Sequence, residues 1–192
     1  MFAIDPHNIT NYNRSDEELE LFWLFSVLVA GKNSRIQAGK LDEFLSDSSN
    51  FSVSPFSYIR YLVVQDFLRH TLEVHKLGQY NRLVPCFEQS LDLDLRKCSV
   101  EDLEAIHGVG PKTARFFILH TRRDEHHAVL DTHILRWMRE ELGVDTPKNT
   151  PTGKRYFELE KVFLNYCAEN SKFPAELDLE IWSKYNKGNK QE

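Results

Sequence analysis

At 192 residues the chain is long enough for one sizeable core or two small lobes. With 41% hydrophobic and 28% charged residues, its composition is that of an ordinary soluble globular protein. A net charge of −5 argues against a protein that binds polyanions over its whole surface, and any such contact must rest on a local basic face.

In chain order, the opening residues 1–6 lack the basic and apolar regions of a signal peptide. Ser15-Asp16-Glu17-Glu18 is a capping-box pattern that opens a helix. Residues 21–30 are almost wholly apolar but only half the length needed to span a bilayer, so they read as a buried core helix and no membrane contact is expected. Gly31 to Ser34 interrupt that helix. A second helix is expected over 35–45, and a polar loop over 46–55. Residues 55–74 are apolar at helical spacing, and Gly78 marks a break before Tyr80-Asn81-Arg82. Pro85 suits the first turn of the next short helix. Ser99 is placed to cap another, over 100–106. Beyond it, residues 113–120 read as helix and 122–127 as a charged turn. A helix over 131–141 carries Ile134, Leu135, Met138 and Leu142 on one face. Residues 144–153 connect to helices over 156–168 and 177–185, and a polar tail follows from Lys184, flexible over 186–192. No alternating run predicts a sheet, so the expected class is all-α.

The most informative stretch is His107-Gly108-Val109-Gly110-Pro111-Lys112-Thr113-Ala114, followed further on by Asp131-Thr132-His133. Two glycines two apart let the backbone take positive φ and approach a partner closely. The amides after them open the next helix, where unpaired N–H groups and the helix dipole attract an anion. Lys112 adds a full positive charge there. From His107 to Arg123 the chain holds Lys112, Arg115, Arg122 and Arg123 and no acid, which makes a candidate local basic face.

Cys86, Cys98 and Cys167 are widely spaced, without a paired or clustered pattern, which fits a reducing cytoplasmic setting. His126, His127 and His133 lie near one another in sequence but lack paired ligand spacing, so no metal site is expected.

Gly108-Val109-Gly110-Pro111-Lys112-Thr113-Ala114 with Asp131-Thr132-His133 resembles the helix-hairpin-helix (HhH-GPD) DNA glycosylase superfamily, nearest its endonuclease III branch. Ser26-Val27-Leu28-Val29-Ala30-Gly31-Lys32-Asn33 is similar to the family segment whose loop enters the minor groove. Leu77-Gly78-Gln79-Tyr80-Asn81-Arg82 is similar to the family's glycine-aromatic segment. The resemblance implies a two-lobed helical fold with a central cleft. One lobe would comprise 20–125, with the hairpin at 99–121; residues 1–19 would join 126–192 in the other. It also implies double-stranded DNA as partner, a monomeric protein, and excision of a flipped base, since the glycosidic bond is shielded in a duplex. Oxidised pyrimidine or 8-oxoguanine is the default lesion. The four-cysteine iron–sulfur loop of many endonuclease III-like proteins has no counterpart here. No cofactor is therefore expected, apart from a monovalent cation bound at the hairpin.

By the same resemblance, Lys112 attacks the sugar and Asp131 supports departure of the base. A carboxylate stabilises the cationic sugar that forms, and a helix N-terminus is expected to keep it ionised. Asp131 reads equally as a plain N-cap, and Lys112 as a phosphate contact. A lysine amine attacks only when neutral, and Arg115, one turn on, is a candidate to disfavour its charge. Expected DNA contacts are His107, Gly108, Gly110, Thr113, Arg115, Lys32, Asn33 and Arg82, with Lys32 and Asn33 filling the vacated stack. Tyr80, Trp137 and Phe51 are candidates for a base pocket, although aromatics of a helical protein are commonly core. Two rival functions stay open. One is an enzyme for hypermodified phage DNA bases, which excises or remodels them. The other is a non-catalytic DNA-binding module.

Overall fold

The computed structural model describes residues 4–5, 8–49 and 53–186. Among these residues all regular structure is helical, with no strand. The chain divides into two compact units, residues 1–109 and 110–192.

The first unit is built around α1 (Asp16–Leu28). The Ser15 hydroxyl accepts from the Glu18 N–H while the Glu18 carboxylate accepts from the Ser15 N–H at 2.8 Å, so the expected capping box is formed. Phe22, Trp23, Leu24 and Leu28 are fully buried, and from Leu21 onward α1 is buried all round because other helices surround it. These are α2 (Ser34–Ser49), α3 (Pro55–Val64) and α5 (Tyr80–Ser90); α4 (Leu68–Val74) packs on α3 and α5. The Trp23 indole N–H, which burial would otherwise strand, donates to Ser90 Oγ at 2.8 Å, and Ser90 donates to the Cys86 carbonyl.

Three expected boundaries are corrected. Helix α2 continues through residues 46–49, which had read as loop, and the Ser46 hydroxyl donates to the Glu43 carbonyl instead of opposing the helix. The single run expected over 55–74 breaks at 65–67. Asp66 takes φ 56°, its N–H donates to the Val63 carbonyl and that of Phe67 to Leu62, a Schellman ending. Helix α4 ends the same way: Lys76 takes φ 53° while Leu77, wholly buried, donates to the Leu72 carbonyl. Finally, α5 starts at Tyr80, which leaves Pro85 inside the helix and not in its first turn.

The first unit ends with α6 (Val100–Glu104), capped by Ser99 and Asp102 in a second capping box. The second unit holds α7 (Pro111–Thr121), α8 (Thr132–Leu142), α9 (Gly153–Glu169) and α10 (Pro174–Asn186). Helix α10 packs against the other three. Leu135, Met138, Tyr156, Phe163 and Ile181 form the centre of this core. The division falls between the hairpin helices α6 and α7, where the sequence reading had kept both in the first lobe. Helix α7 belongs with the second unit because it packs on α10. The described residues up to 19 lie in the first unit. Helix α10 persists through Lys184–Asn186, part of the expected tail, and residues 187–192 lie outside those described. Among the described residues no helix is long and apolar enough to cross a membrane.

Candidate active site

The hairpin turn uses its two glycines differently. Gly108 takes φ 74°, whereas Gly110 is extended at φ −109°, so only one of the pair has the left-handed backbone expected of both. A Cβ on Gly108 would lie 2.3 Å from Arg82 Cγ; one on Gly110 would meet nothing within 4 Å. Nothing inside the protein therefore demands glycine at 110. Pro111 begins α7, and the N–H groups of Thr113 and Ala114 both donate to the Gly110 carbonyl. Thr113 is buried, and its amide is used within that turn. His107 is exposed, and its N–H donates to the Gln89 side chain at 2.7 Å.

Lys112 follows in the first turn of α7. It is half-buried, with Nζ 4.9 Å from the Phe116 ring centroid, and its charge reaches the Asp131 carboxylate. Asp131 caps α8: Oδ1 accepts from the His133 N–H at 2.8 Å and the Ile134 N–H at 2.9 Å. The cap role and the pairing with Lys112 thus coexist. The expected depression of its pKa does not hold. Burial lifts the Asp131 carboxyl above the usual range, Lys112 opposes, the Asp178 carboxylate lifts it further, and the Ile134 N–H and His133 oppose again.

The segment leading into Asp131 is held from several sides. Glu160 Oε1 on α9 accepts the Ala128 N–H at 3.0 Å. The Tyr156 hydroxyl donates to the Ala128 carbonyl and accepts from the Leu130 N–H. Thr150 donates to the Leu130 carbonyl at 2.9 Å. Arg115, expected on a DNA-facing surface, is instead buried: its Nε lies 2.9 Å from Glu160 Oε1 and its guanidinium sits over the Tyr156 ring. Arg115 is therefore a structural partner of Glu160, and is committed elsewhere than to Lys112. Sequence reading missed Glu160, Asp178 and His120, the last two buried together at 3.3 Å. The signal was an acid on an apolar face: Glu160 follows buried Leu159, and Asp178 follows buried Leu177.

Several expected contacts are engaged within their own unit. Arg82 donates to the Gln79 side chain, the Gly108 carbonyl and the Val27 carbonyl, which makes it a clamp on the hairpin turn. Lys32 Nζ donates to the Leu77 carbonyl at 2.5 Å, and Asn33 Oδ1 accepts the Ile36 N–H at the start of α2. Tyr80 lines a shallow hollow with Arg69, Gln79, Asn81 and Arg82. Trp137, the other described candidate for a base pocket, is buried. It packs edge-on against Phe163 and Tyr166 in the core. Phe51 lies outside the described residues. His127 sits between Glu125 and Glu160, and among the described residues no group of three His, Cys, Asp or Glu side chains is placed to hold a metal. The Cys86 and Cys167 thiols are pushed up to about 11 by burial.

A hairpin turn at Gly108, a lysine in the first turn of α7 and an aspartate capping α8 are the parts of the helix-hairpin-helix DNA glycosylase fold. The chain superposes on the crystal structure of Methanocaldococcus jannaschii 8-oxoguanine DNA glycosylase with TM-score 0.63 at 22% identity, covering 91% of this chain and 81% of that one. The same enzyme in complex with a 15mer DNA containing 8-oxoguanine gives TM-score 0.62, with 88% and 81% covered. Residues 75–172, half of the chain, match the family model described as 8-oxoguanine DNA glycosylase, and the chain belongs to that family. It is 34% identical over 77 residues to the M. jannaschii 8-oxoguanine DNA glycosylase/AP lyase, covering 40% of this chain and 37% of that relative. It is 38% identical over 80 residues to the enzyme of the same name from Fusobacterium nucleatum, covering 41% and 36%. The aligned stretch thus spans little over a third of either relative's length. These proteins are named for 8-oxoguanine and none for a hypermodified phage base.

Proposed function

We propose that the chain is a DNA glycosylase with AP-lyase activity that removes 8-oxoguanine from double-stranded DNA, Lys112 serving as nucleophile and Asp131 as its acidic partner. The observation that carries this reading is that Lys112, in the first turn of α7, and Asp131, the cap of α8, lie in one unit with the lysine's charge acting on the carboxylate, on a chain of the 8-oxoguanine DNA glycosylase family. The two relatives' names, which include AP lyase, favour the bifunctional form.

The chemistry follows from the two groups. Burial raises the proton affinity of Asp131, which suits it to take a proton from the Lys112 ammonium and free the amine lone pair. The amine attacks C1′ of the deoxyribose as the C1′–N9 bond breaks, and that bond's electron pair leaves with the base. The base recovers a proton from Asp131. The sugar ring then opens, O4′ taking a proton from the newly bonded nitrogen, to leave a protonated Schiff base between C1′ and Lys112. Loss of a C2′ proton expels the 3′ phosphate by β-elimination and nicks the strand. Once Asp131 has given that proton to the base, its carboxylate stabilises the positive charge left on the amine-linked sugar.

The test uses a duplex with one 8-oxoguanine. Wild-type protein is expected to release free 8-oxoguanine and to form a covalent adduct on borohydride reduction. Lys112→Gln should lose the adduct, and Asp131→Asn should lose base release. A wild-type chain that releases base without a trappable adduct removes the nucleophile role of Lys112 and leaves the glycosylase. Release of nothing from this duplex removes the substrate.

A further inference from the structure

The turn between α4 and α5 carries three left-handed residues, Lys76, Gly78 and Gln79, and two lysines of α2 and its entry loop are fastened to it. Lys32 Nζ donates to the Leu77 carbonyl at 2.5 Å and Lys40 Nζ to the Lys76 carbonyl at 2.6 Å. The acceptors lie on consecutive residues of one turn, and the Lys40 charge acts on Lys32. Arg82 is near enough for its charge to act on Lys32 as well. Among the described residues neither lysine has a carboxylate at ion-pair distance. Gly78 makes room for the arrangement, because a Cβ there would stand 3.2 Å from Lys32 Nζ.

Cations grouped without an acid repel one another, and fixing two lysine side chains costs conformational entropy. An isolated fold gains by letting such side chains diverge into water. Here each ammonium spends one N–H on a backbone carbonyl, which fixes its position, and keeps two N–H groups for another acceptor. Burial lowers the Lys32 pKa, and the neighbouring Arg82 and Lys40 charges lower it further, so an anion placed among them would relieve a cost already present.

We propose that Lys32 and Lys40 together form a binding site for a backbone phosphate of DNA, on the first unit. It rests on the DNA reading given above. It replaces the stack-filling role expected of Lys32 by a phosphate contact and adds Lys40, which sequence reading did not single out. A phosphate diester bridges the two ammonium groups, whose carbonyl anchors pre-organise them and limit the entropy lost on binding. Such a contact is indifferent to base sequence and sets the register of the duplex.

The measurement is the salt dependence of equilibrium binding of the full chain to a short duplex carrying an uncleavable abasic analogue. Each phosphate contact contributes about −0.9 to the slope of log affinity against log salt. Lys40→Gln is expected to make that slope shallower by about 0.9 and to weaken binding several-fold at low salt; Lys32→Gln should do the same. Lys40→Arg is expected to restore the slope. Lys154→Gln, an exposed lysine of the second unit, should leave the slope as in wild type. Inorganic phosphate at constant ionic strength is expected not to displace the duplex. The inference is overturned by an unchanged slope in Lys40→Gln, by an equal loss in Lys154→Gln, or by displacement with free phosphate. If the wild-type chain binds no duplex, the DNA reading falls first and this site with it.

Discussion

Replacing Glu160 by leucine removes the acceptor of a buried arginine and the clamp on the segment that delivers Asp131. The Arg115 and Glu160 side chains are 4% and 11% exposed, so little solvent is at hand to screen a stranded guanidinium. Breaking a buried pair from one side costs about 3–5 kcal/mol, and the Ala128 N–H, left without Glu160 Oε1, adds about 1–3 kcal/mol. For a chain of this size each kcal/mol lowers Tm by roughly 2–4 °C, so Glu160→Leu is expected to melt at least about 8 °C below wild type. Thermal and urea unfolding followed by circular dichroism read this directly. Acid supplies a second check. Burial alone would raise the Glu160 carboxyl, but His127, the Ala128 N–H and Arg115 together hold it below its ordinary value of 4.5. The stability it contributes is therefore present above that pH and is lost as the pH falls below it, so the gap between wild type and variant should close on acidification. Arg115→Met/Glu160→Leu removes both charges and is expected to be more stable than Glu160→Leu alone. A single variant within about 1 kcal/mol of wild type, or a double variant worse than the sum of the singles, refutes the reasoning.

Asp131→Asn keeps a good N-cap while deleting a half-buried charge. Because the Asp131 carboxyl is raised in the fold, its ionised form costs stability once the pH passes its ordinary 3.8. Calorimetry should find the variant at least as stable as wild type at pH 7, with the difference gone by about pH 4. The two hairpin glycines should part company. Gly108→Ala puts a side chain at φ 74° and against Arg82, a loss of at least about 1–2 kcal/mol. Gly110→Ala, facing open space, is expected within about 0.5 kcal/mol of wild type yet to weaken DNA binding, and equal destabilisation by both would disprove the distinction. Ser171 closes α9 at φ 52°, so Ser171→Gly should gain about 1 kcal/mol and raise Tm by roughly 2–4 °C.

Helix starts were legible because their chemistry is local. Ser15 with Glu18, Ser99 with Asp102, and Asp131 each place acceptor and donor within three residues. Helix ends were less so. The usual marker is glycine in the left-handed position, and here Asp66, Lys76 and Ser171 occupy it. What holds Lys76 there is the apolar residue after it, Leu77, wholly buried, and an apolar residue after a polar one gives no punctuation in sequence.

The acid-free run from His107 to Arg123 misled for a related reason. It describes charge along the chain, whereas Arg115 is neutralised by Glu160, 45 positions away. Lys112 lies at the start of α7, partly open to solvent. Arg115 is one turn on, where the helix is buried from Thr113 to Thr121. The pairing was nonetheless inferable from the two helices taken together. Arg115 stands between Ala114 and Phe116, and Glu160 follows Leu159 three places before Phe163, so each is a lone charge on an apolar face. A lone buried charge is too costly to stand, so two of opposite sign in one unit call for each other. By that criterion Asp178, on the apolar face of α10 beside Leu177 and Ile181, also called for a buried partner, which His120 supplies from the same helix as Lys112 and Arg115.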